Sequence, residues 1–147
     1  MKATEWLERG YRANDPIDAM SNYWRGFNNL FFSSPGRFER DKINAFLAAN
    51  LSEKDASEIL EKYSSDLVYL VSLPVNDMRN NGRDTSEYAQ EFLSSASSLL
   101  KLQAIFMIIY QVRCNLEHGQ KSPNRDRDHQ LCQCAAPLVA EVVRRSS

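Results

Sequence analysis

The sequence predicts a single all-α domain that spans residues 1–147. The chain of 147 residues contains only five glycines and five prolines, and this composition favours helices over a turn-rich β architecture. Apolar residues recur at helical spacing through most of the chain, and several of these segments begin with helix-start signals. The length is typical of one domain, and it is sufficient to bury a real core.

The first predicted helix covers residues 15–33, where Asp15 can cap the helix and Pro16 occupies its first position. The sequence SSPG ends it, and a second helix covers residues 37–50. We expect the apolar positions of both helices to face the core: Ile17, Met20, Tyr23, Trp24, Phe27, Leu30 and Phe31 in the first, and Phe38, Ile43, Phe46 and Leu47 in the second.

Two shorter helices and a loop follow. The sequence SEKD at residues 52–55 fits a capping box and starts a helix that continues to Tyr63. A short helix at about residues 66–72 comes next. Residues 72–84 hold a proline, paired asparagines and Gly82, which are all turn formers. This loop is either a plain connector or a docking surface for a partner.

The longest predicted helix begins near residue 84 with the sequence DTSE and ends at His118, because Gly119 is a typical C-terminal stop. The serine-rich sequence SSASS at residues 94–98 can bend this helix. A last helix covers about residues 126–145. Pro137 lies inside it and either kinks the helix or marks a break.

The composition excludes several classes of protein. A formal net charge of −1 is not that of a bulk nucleic-acid binder with a basic surface. The first ten residues lack the apolar core of a signal peptide, and the apolar run AIFMIIY is far shorter than the ~20 residues of a membrane span. The three cysteines do not form a disulfide framework. We therefore expect a cytoplasmic protein without a membrane partner.

A polar motif, VRCNLEHGQK at residues 112–121, directly follows the most apolar stretch of the chain. On an ideal helix Arg113 and His118 are about 140° apart around the axis and ~7.5 Å apart along it, whereas Asn115 and His118 share a face. Arg113 and His118 would converge if the helix tightened at Gly119, or if two copies of the motif met across a two-fold axis.

Arginine and histidine together suit the cleavage of an RNA phosphodiester bond by its own 2′-hydroxyl. Arg113 can bind the phosphate oxygens and stabilise their developing charge, and His118 can move a proton near neutral pH. The reaction needs no metal and no cofactor. The structural alternative is that Arg113 forms an intrahelical ion pair with Glu117 and that His118 stabilises the helix C-terminus.

The motif resembles that of the HEPN-domain superfamily, the higher eukaryotes and prokaryotes nucleotide-binding proteins. A frequent bacterial form reads R-x-N-L-x-H-G followed by a lysine. The helix at residues 15–33 also resembles the W-x-x-F-N helix of this group, and the likeness extends over roughly residues 15–145. The matching positions are Arg113, Asn115, Leu116, His118, Gly119 and Lys121 in the motif, and Trp24, Phe27 and Asn28 upstream.

The resemblance implies an all-α, up-and-down helical bundle of the HEPN type and a two-fold homodimer in which two motifs share one cleft. Active members are metal-independent endoribonucleases that leave 2′,3′-cyclic phosphate ends, and they act in toxin–antitoxin systems, phage defence and RNA processing. The resemblance assigns acid–base catalysis to His118, and binding and stabilisation of the scissile phosphate to Arg113. Asn115 would orient one of these two residues or bind the phosphate. Lys121 would help to hold RNA. Arg125 and Arg127, in the loop after the motif, can also contact an RNA backbone, but Asp126 and Asp128 alternate with them and favour a solvated loop.

Two positions depart from the family pattern. Cys114 stands where many active members have Asn, Asp or His, and Glu117 stands where an aromatic or apolar residue is expected. Glu117 would repel a phosphate or hold Arg113, or it would orient His118. The alternative functions are a catalytically inactive HEPN module that binds nucleotide, nucleic acid or a protein such as an antitoxin, and a helical interaction protein with an accidental motif.

A metal site is a further alternative that the sequence raises. Cys114 and His118 have helical i, i+4 spacing, and His129, Cys132 and Cys134 lie close together in the last helix. Thiolate and imidazole groups are zinc ligands. No C-x-x-C pair occurs, however, and all three cysteines fit equally well as small buried residues on helices. We expect no metal.

Overall fold

The computed structural model describes residues 2–79, 81–118 and 125–147, and the side chains of all of these except His118 and Arg125. The described residues form helices and no strand, so the predicted all-α class is confirmed. The helices are α1 (Ala3–Arg12), α2 (Pro16–Phe31), α3 (Glu39–Asn50), α4 (Glu53–Lys62), α5 (Ser64–Ser72), α6 (Ser86–Ser94), α7 (Ser98–His118) and α8 (Arg125–Ser146).

Two predicted helix starts are confirmed by their hydrogen bonds. The Asp15 carboxylate accepts hydrogen bonds from the backbone N–H groups of Ile17 at 2.9 Å and Asp18 at 3.0 Å, directly before Pro16. Ser52 and Asp55 form the reciprocal capping box at the start of α4. Each cap satisfies backbone donors that have no partner inside the helix, so these sequences begin helices.

Helix α1 was not among the predicted elements. It packs against α2 and α8, and the ring of Tyr23 lies directly over Gly10. A Cβ atom at residue 10 would stand 2.1 Å from the Tyr23 ring. Glycine at this position therefore permits the close approach of α1 to α2.

The expectation that Phe38 faces the core is wrong. Its side chain is 62% exposed, and the Arg37 guanidinium lies 5.2 Å from the centre of its ring. Helix α3 begins at Glu39 and not at residue 37 as predicted, so Phe38 occupies the N-cap position with an extended backbone. A residue outside the helix does not follow the helical stripe, whereas Ile43, Phe46 and Leu47 inside α3 are buried as predicted.

The long helix predicted over residues 84–118 is divided into α6 and α7 at the serine-rich segment. The Glu53 carboxylate, from the start of α4, accepts hydrogen bonds from the backbone N–H of Ser98 at 2.8 Å and of Leu99 at 3.3 Å, and from the Ser97 hydroxyl. An acidic side chain at a helix N-terminus satisfies unpaired donors and complements the helix dipole. A residue distant in sequence thus caps α7.

Helix α7 is enclosed by the rest of the bundle. All six residues from Ala104 to Ile109 are buried, so α7 is covered on every side along this stretch. The Phe106 ring packs edge-on against Phe27 of α2, with ring centres 5.3 Å apart. By length and composition alone, Ser98–Glu117 is long and apolar enough to cross a membrane, as the core helix of a soluble protein can also be.

Helix α8 continues through Pro137 without a break. Leu138, Val139, Val142 and Val143 on the far side of the proline are fully buried. A proline inside a helix removes one backbone hydrogen bond. The burial of this apolar turn against the core offsets that loss.

A buried carboxylate holds the C-terminal part of α8 to the rest of the bundle. Glu141 is 6% exposed and accepts hydrogen bonds from Lys62 at 2.9 Å, Tyr63 at 2.8 Å and Arg144 at 2.9 Å. Arg145 donates to its second oxygen at 3.1 Å. Burial alone would favour the neutral acid, but these donors together lower the pKa of Glu141 to about 2.

The variant Glu141→Gln is expected to lower the free energy of unfolding at pH 7 by about 1–3 kcal/mol, because the four donors lose the charge of the buried carboxylate that they share. The folded-state pKa lies below the ordinary value of 4.5. The contribution of the carboxylate is therefore complete above that value and is lost as the pH falls through the folded-state pKa. Urea denaturation between pH ~6 and pH ~3 measures this.

The matched control is Glu58→Gln. Glu58 accepts a hydrogen bond from the same Arg145 at 3.0 Å, but its side chain is 49% exposed, so its loss should change stability by less than ~0.5 kcal/mol. A difference between wild type and Glu141→Gln that grows as the pH falls would contradict the assignment.

Candidate functional site

Arg113 lies near the end of α7, where the helix leaves the core. Its side chain is 30% exposed and forms an ion pair with Glu117, with 2.8 Å between Nη2 and Oε1. The pair has i, i+4 spacing on one helix, which is the structural alternative that the sequence raised. The Glu117 side chain is 55% exposed, so solvent reaches the pair.

A cavity of about 580 Å³, the α3–α7 cavity, lies beside this ion pair. A volume of this size is within the range of small-ligand pockets. Its lining residues are charged for the most part. The arginines are Arg40, Arg79, Arg83 and Arg113, and the acidic residues are Glu39, Asp41 and Glu117.

Asn115 is buried and holds a loop against α7. Its Oδ1 accepts hydrogen bonds from the backbone N–H of Met78 at 3.0 Å and from the Gln111 side chain at 2.9 Å, and its Nδ2 donates to the Asn76 carbonyl at 2.7 Å. The side chain is only 6% exposed. In this arrangement Asn115 positions the segment at residues 73–85, which we name the α5–α6 loop.

The α5–α6 loop has its own internal order. Asp77 is 6% exposed and accepts hydrogen bonds from the Arg79 guanidinium, the shorter at 2.7 Å, and from Asn81 at 3.0 Å. The hydrogen bonds from Arg79 are the largest cause of a pKa well below the usual range for Asp77. Gly82 has a φ of 75°, a backbone conformation that favours glycine. In the described part of the loop, hydrogen bonds therefore fix the backbone at Arg79 and at Arg83.

Arg40 is the residue of this region that the sequence did not single out. It belongs to the first turn of α3, and its guanidinium donates to Gln111 Oε1 at 3.2 Å. The rings of Tyr110 and Tyr88 lie 4.6 Å and 5.6 Å from the guanidinium carbon. Its partners are 48 to 71 positions away in the chain, so no local pattern marks it.

Cys114 is partly buried between these groups. Burial raises the pKa of its thiol, and burial likewise raises the pKa of Tyr110 to about 12. Both groups are therefore neutral near pH 7, and Cys114 does not have the low thiol pKa of a reactive cysteine. Among the residues that the structure describes, no three metal-binding side chains lie together, and Cys132 is buried in the core.

The remaining predicted site residues are only partly within the described structure. His118 is the last residue of α7, and Arg125 is the first residue of α8. The side chains of both lie outside the described structure, and so do Gly119 and Lys121 entirely. Upstream, Trp24 and Phe27 are buried in the core, whereas Asn28 is exposed on α2. The catalytic and RNA-binding roles of these residues remain predictions.

Comparisons of the chain with protein-family models, with curated proteins and with solved structures give no match. The all-α fold class is therefore assigned from the helices, and the function has to be argued from the chemistry of the residues around Arg113.

Replacement Asn115→Ala is expected to lower the free energy of unfolding by about 2–3 kcal/mol, because Met78 N–H, Gln111 and the Asn76 carbonyl lose a shared partner. Hydrogen exchange at the Met78 amide should accelerate as the loop is released. The matched control is Asn22→Ala. Asn22 donates to the Asp18 carbonyl at 2.9 Å on the exposed side of α2, and its loss should change stability by less than ~0.5 kcal/mol. Equal effects of the two variants would contradict the positioning role of Asn115.

Proposed function

We propose that the protein is a metal-independent endoribonuclease of the HEPN type that acts as a homodimer. Arg113 binds and stabilises the scissile phosphate, and His118 is the general acid and base. Asn115 contributes by holding the α5–α6 loop beside Arg113. Lys121 and Arg125 bind the RNA strand.

The observation that carries the proposal is the position of Arg113. It lies at the end of a buried helix, is accessible to solvent, and lines a cavity together with Arg40, Arg79 and Arg83. Guanidinium groups bind phosphate oxygens in a bidentate manner. A strand in this cavity would place a phosphodiester group against Arg113.

The proposed reaction uses the nucleophile of the substrate. The 2′-hydroxyl oxygen attacks the adjacent phosphorus atom, and its proton passes to an imidazole. The bond between phosphorus and the 5′-oxygen breaks, and that oxygen receives a proton from an imidazolium. Arg113 stabilises the additional negative charge on the phosphorane oxygens. The products are a 2′,3′-cyclic phosphate and a 5′-hydroxyl.

The homodimer is part of the proposal for a geometric reason. An ideal helix separates Arg113 and His118 by about 140°, so one straight helix does not direct both side chains at the same phosphate. Two copies of the motif that face each other would place Arg113 of one protomer beside His118 of its partner. A toxin or phage-defence effector, with an antitoxin or other protein as partner, is the biological setting that this chemistry suits.

The second candidate function is a non-catalytic module that binds a nucleotide, a nucleic acid or a protein partner. Two observations favour it: Glu117 neutralises Arg113 across 2.8 Å, and Asn115 is committed to the α5–α6 loop through short hydrogen bonds. A module of this kind would retain RNA in the cleft without cutting it.

Arg113→Ala and His118→Ala are each expected to reduce RNA cleavage by about 10²-fold or more, since each removes a group that acts in the transition state. End-labelled RNA is incubated with purified protein and EDTA, and the products are analysed for cyclic phosphate ends. Arg12→Ala is the control, because Arg12 is exposed on α1 and, among the described residues, forms an ion pair with Glu8 alone.

Each result decides between the candidates. Cleavage that depends on both residues supports the nuclease. RNA that is retained but uncut by the wild type supports the binding module. Full cleavage by folded His118→Ala protein would rule out the proposed acid–base mechanism.

Glu117→Gln is expected to increase cleavage by about two- to fivefold. The substitution frees Arg113 from a pair worth about 0.2–0.5 kcal/mol and removes a negative charge that repels the phosphate. The rate is measured at low and high salt, and the gain should shrink as salt screens the repulsion. A rate that falls instead would show that the Glu117 carboxylate takes part in the reaction or orients His118.

A further inference from the structure

A second cavity adjoins the α3–α7 cavity and shares Arg40, Arg79, Arg83 and Gln111 with it. We name it the loop cavity, since it is bounded by the α5–α6 loop, Arg40 of α3, Tyr88 of α6 and Gln111 of α7. Its volume is about 550 Å³. The shared residues make the two cavities neighbours, and we call the two cavities together the groove.

Arg40 has unusual surroundings for a partly buried charge. Its described polar partners are neutral: Gln111 Oε1 at 3.2 Å, the Tyr88 hydroxyl at 3.4 Å and the Met107 carbonyl at 3.5 Å. Among the described residues, no carboxylate forms an ion pair with Arg40. The Tyr110 and Tyr88 rings contact the guanidinium but carry no formal charge, so Arg40 retains a positive charge that an anion can bind.

The location of Arg40 strengthens this reasoning. It belongs to the first turn of α3, where the helix dipole already contributes positive potential. A cation is unfavourable at that end of a helix unless an anion approaches it. Glu39 and Asp41 belong to the same turn, but they line the α3–α7 cavity and not the loop cavity. The Asp41 carboxylate accepts a hydrogen bond from the Phe38 N–H.

Three carboxylates also line the loop cavity, those of Asp77, Asp84 and Glu87. Asp77 is bound to Arg79 at 2.7 Å, and Asp84 accepts the backbone N–H of Ser86 at 2.9 Å. Glu87 is exposed. In the described structure Arg83 also has no carboxylate within ion-pair distance. Two guanidinium groups that have no ion-pair partner among the described residues, those of Arg40 and Arg83, therefore line this cavity.

We propose that the loop cavity is a phosphate-binding site in which Arg40 and Arg83 hold a phosphate group of a nucleotide strand. The Gln111 amide orients Arg40, and the Asn115 anchor positions the loop that carries Arg83. This inference extends the proposed nuclease function: the strand would run from Arg113 into the loop cavity, so the site would bind a phosphate next to the scissile one.

The probe is a fluorescent single-stranded RNA in which every 2′-hydroxyl is methylated. Such a strand lacks the nucleophile, so binding is measured by anisotropy without cleavage. Arg83→Gln and Arg40→Gln are compared with Arg12→Gln, which makes the same charge change on an exposed arginine of α1. Circular dichroism and thermal unfolding establish that each variant is folded. Arg83 is exposed, so Arg83→Gln keeps the test valid if Arg40→Gln does not fold.

Arg83→Gln and Arg40→Gln should each weaken binding by about three- to tenfold, the effect of one lost charge-assisted contact. The slope of log affinity against log salt should fall by about 0.7 for each lost phosphate contact on a single strand. Arg12→Gln should stay within about twofold of wild type. Competition by adenosine monophosphate would show that a free nucleotide phosphate also enters the site, and its failure would show that a strand is required.

Two results would overturn the site: no binding by wild-type protein, or groove variants that bind as Arg12→Gln does. These results are distinguishable from failure of the nuclease proposal. If the wild type binds the methylated strand through Arg40 and Arg83 but leaves unmodified RNA intact, the phosphate site stands and catalysis does not. If unmodified RNA is cut equally well by folded Arg83→Gln and Arg40→Gln, catalysis stands and the site does not.

Discussion

The structure depends on one constraint, which is that α7 has no side that can face water along the middle of its length. Six consecutive residues, Ala104–Ile109, are buried, so the surrounding helices have to cover the full circumference of the helix. Helices α3, α4, α5, α6 and α8 all contact α7, and aromatic rings of α2 close the remaining side. These helices together surround α7.

Because α7 is enclosed, the polar side chains near its C-terminal end need hydrogen-bond partners inside the protein. Gln111 and Asn115 are buried on the same helix, and a buried amide without partners would destabilise the fold by about 1–3 kcal/mol. Asn115 obtains its partners from the α5–α6 loop, and Gln111 accepts from Arg40. The hydrogen bonds that satisfy these two amides are the same ones that position arginines around the groove. The candidate site is therefore a consequence of how the core helix ends.

Contacts between residues close in the sequence could be predicted from it, whereas contacts between distant residues could not. Asp15 and Ser52 cap helices through groups within three residues, so their patterns predicted the helix starts. The division between α6 and α7 depends on Glu53, which is 45 positions from Ser98, and Arg40 meets Gln111 across 71 positions. Phe38 was misassigned because the helix starts at Glu39 and not at residue 37, which leaves the Phe38 side chain outside the helix and on the surface. The motif located Arg113, but its groove required the tertiary structure.

The short distance between Arg113 and Glu117 does not by itself mean that Arg113 is unable to bind phosphate. A half-exposed i, i+4 pair stabilises a helix by only about 0.2–0.5 kcal/mol, whereas a hydrogen bond to a charged group such as phosphate contributes about 1.5–3 kcal/mol. A phosphate that enters the groove can therefore displace the carboxylate from Arg113. The pair holds the guanidinium near the end of α7 at little energetic expense, and it is weak enough to open. Under the proposed function, Glu117 would weaken phosphate binding by Arg113 without abolishing it.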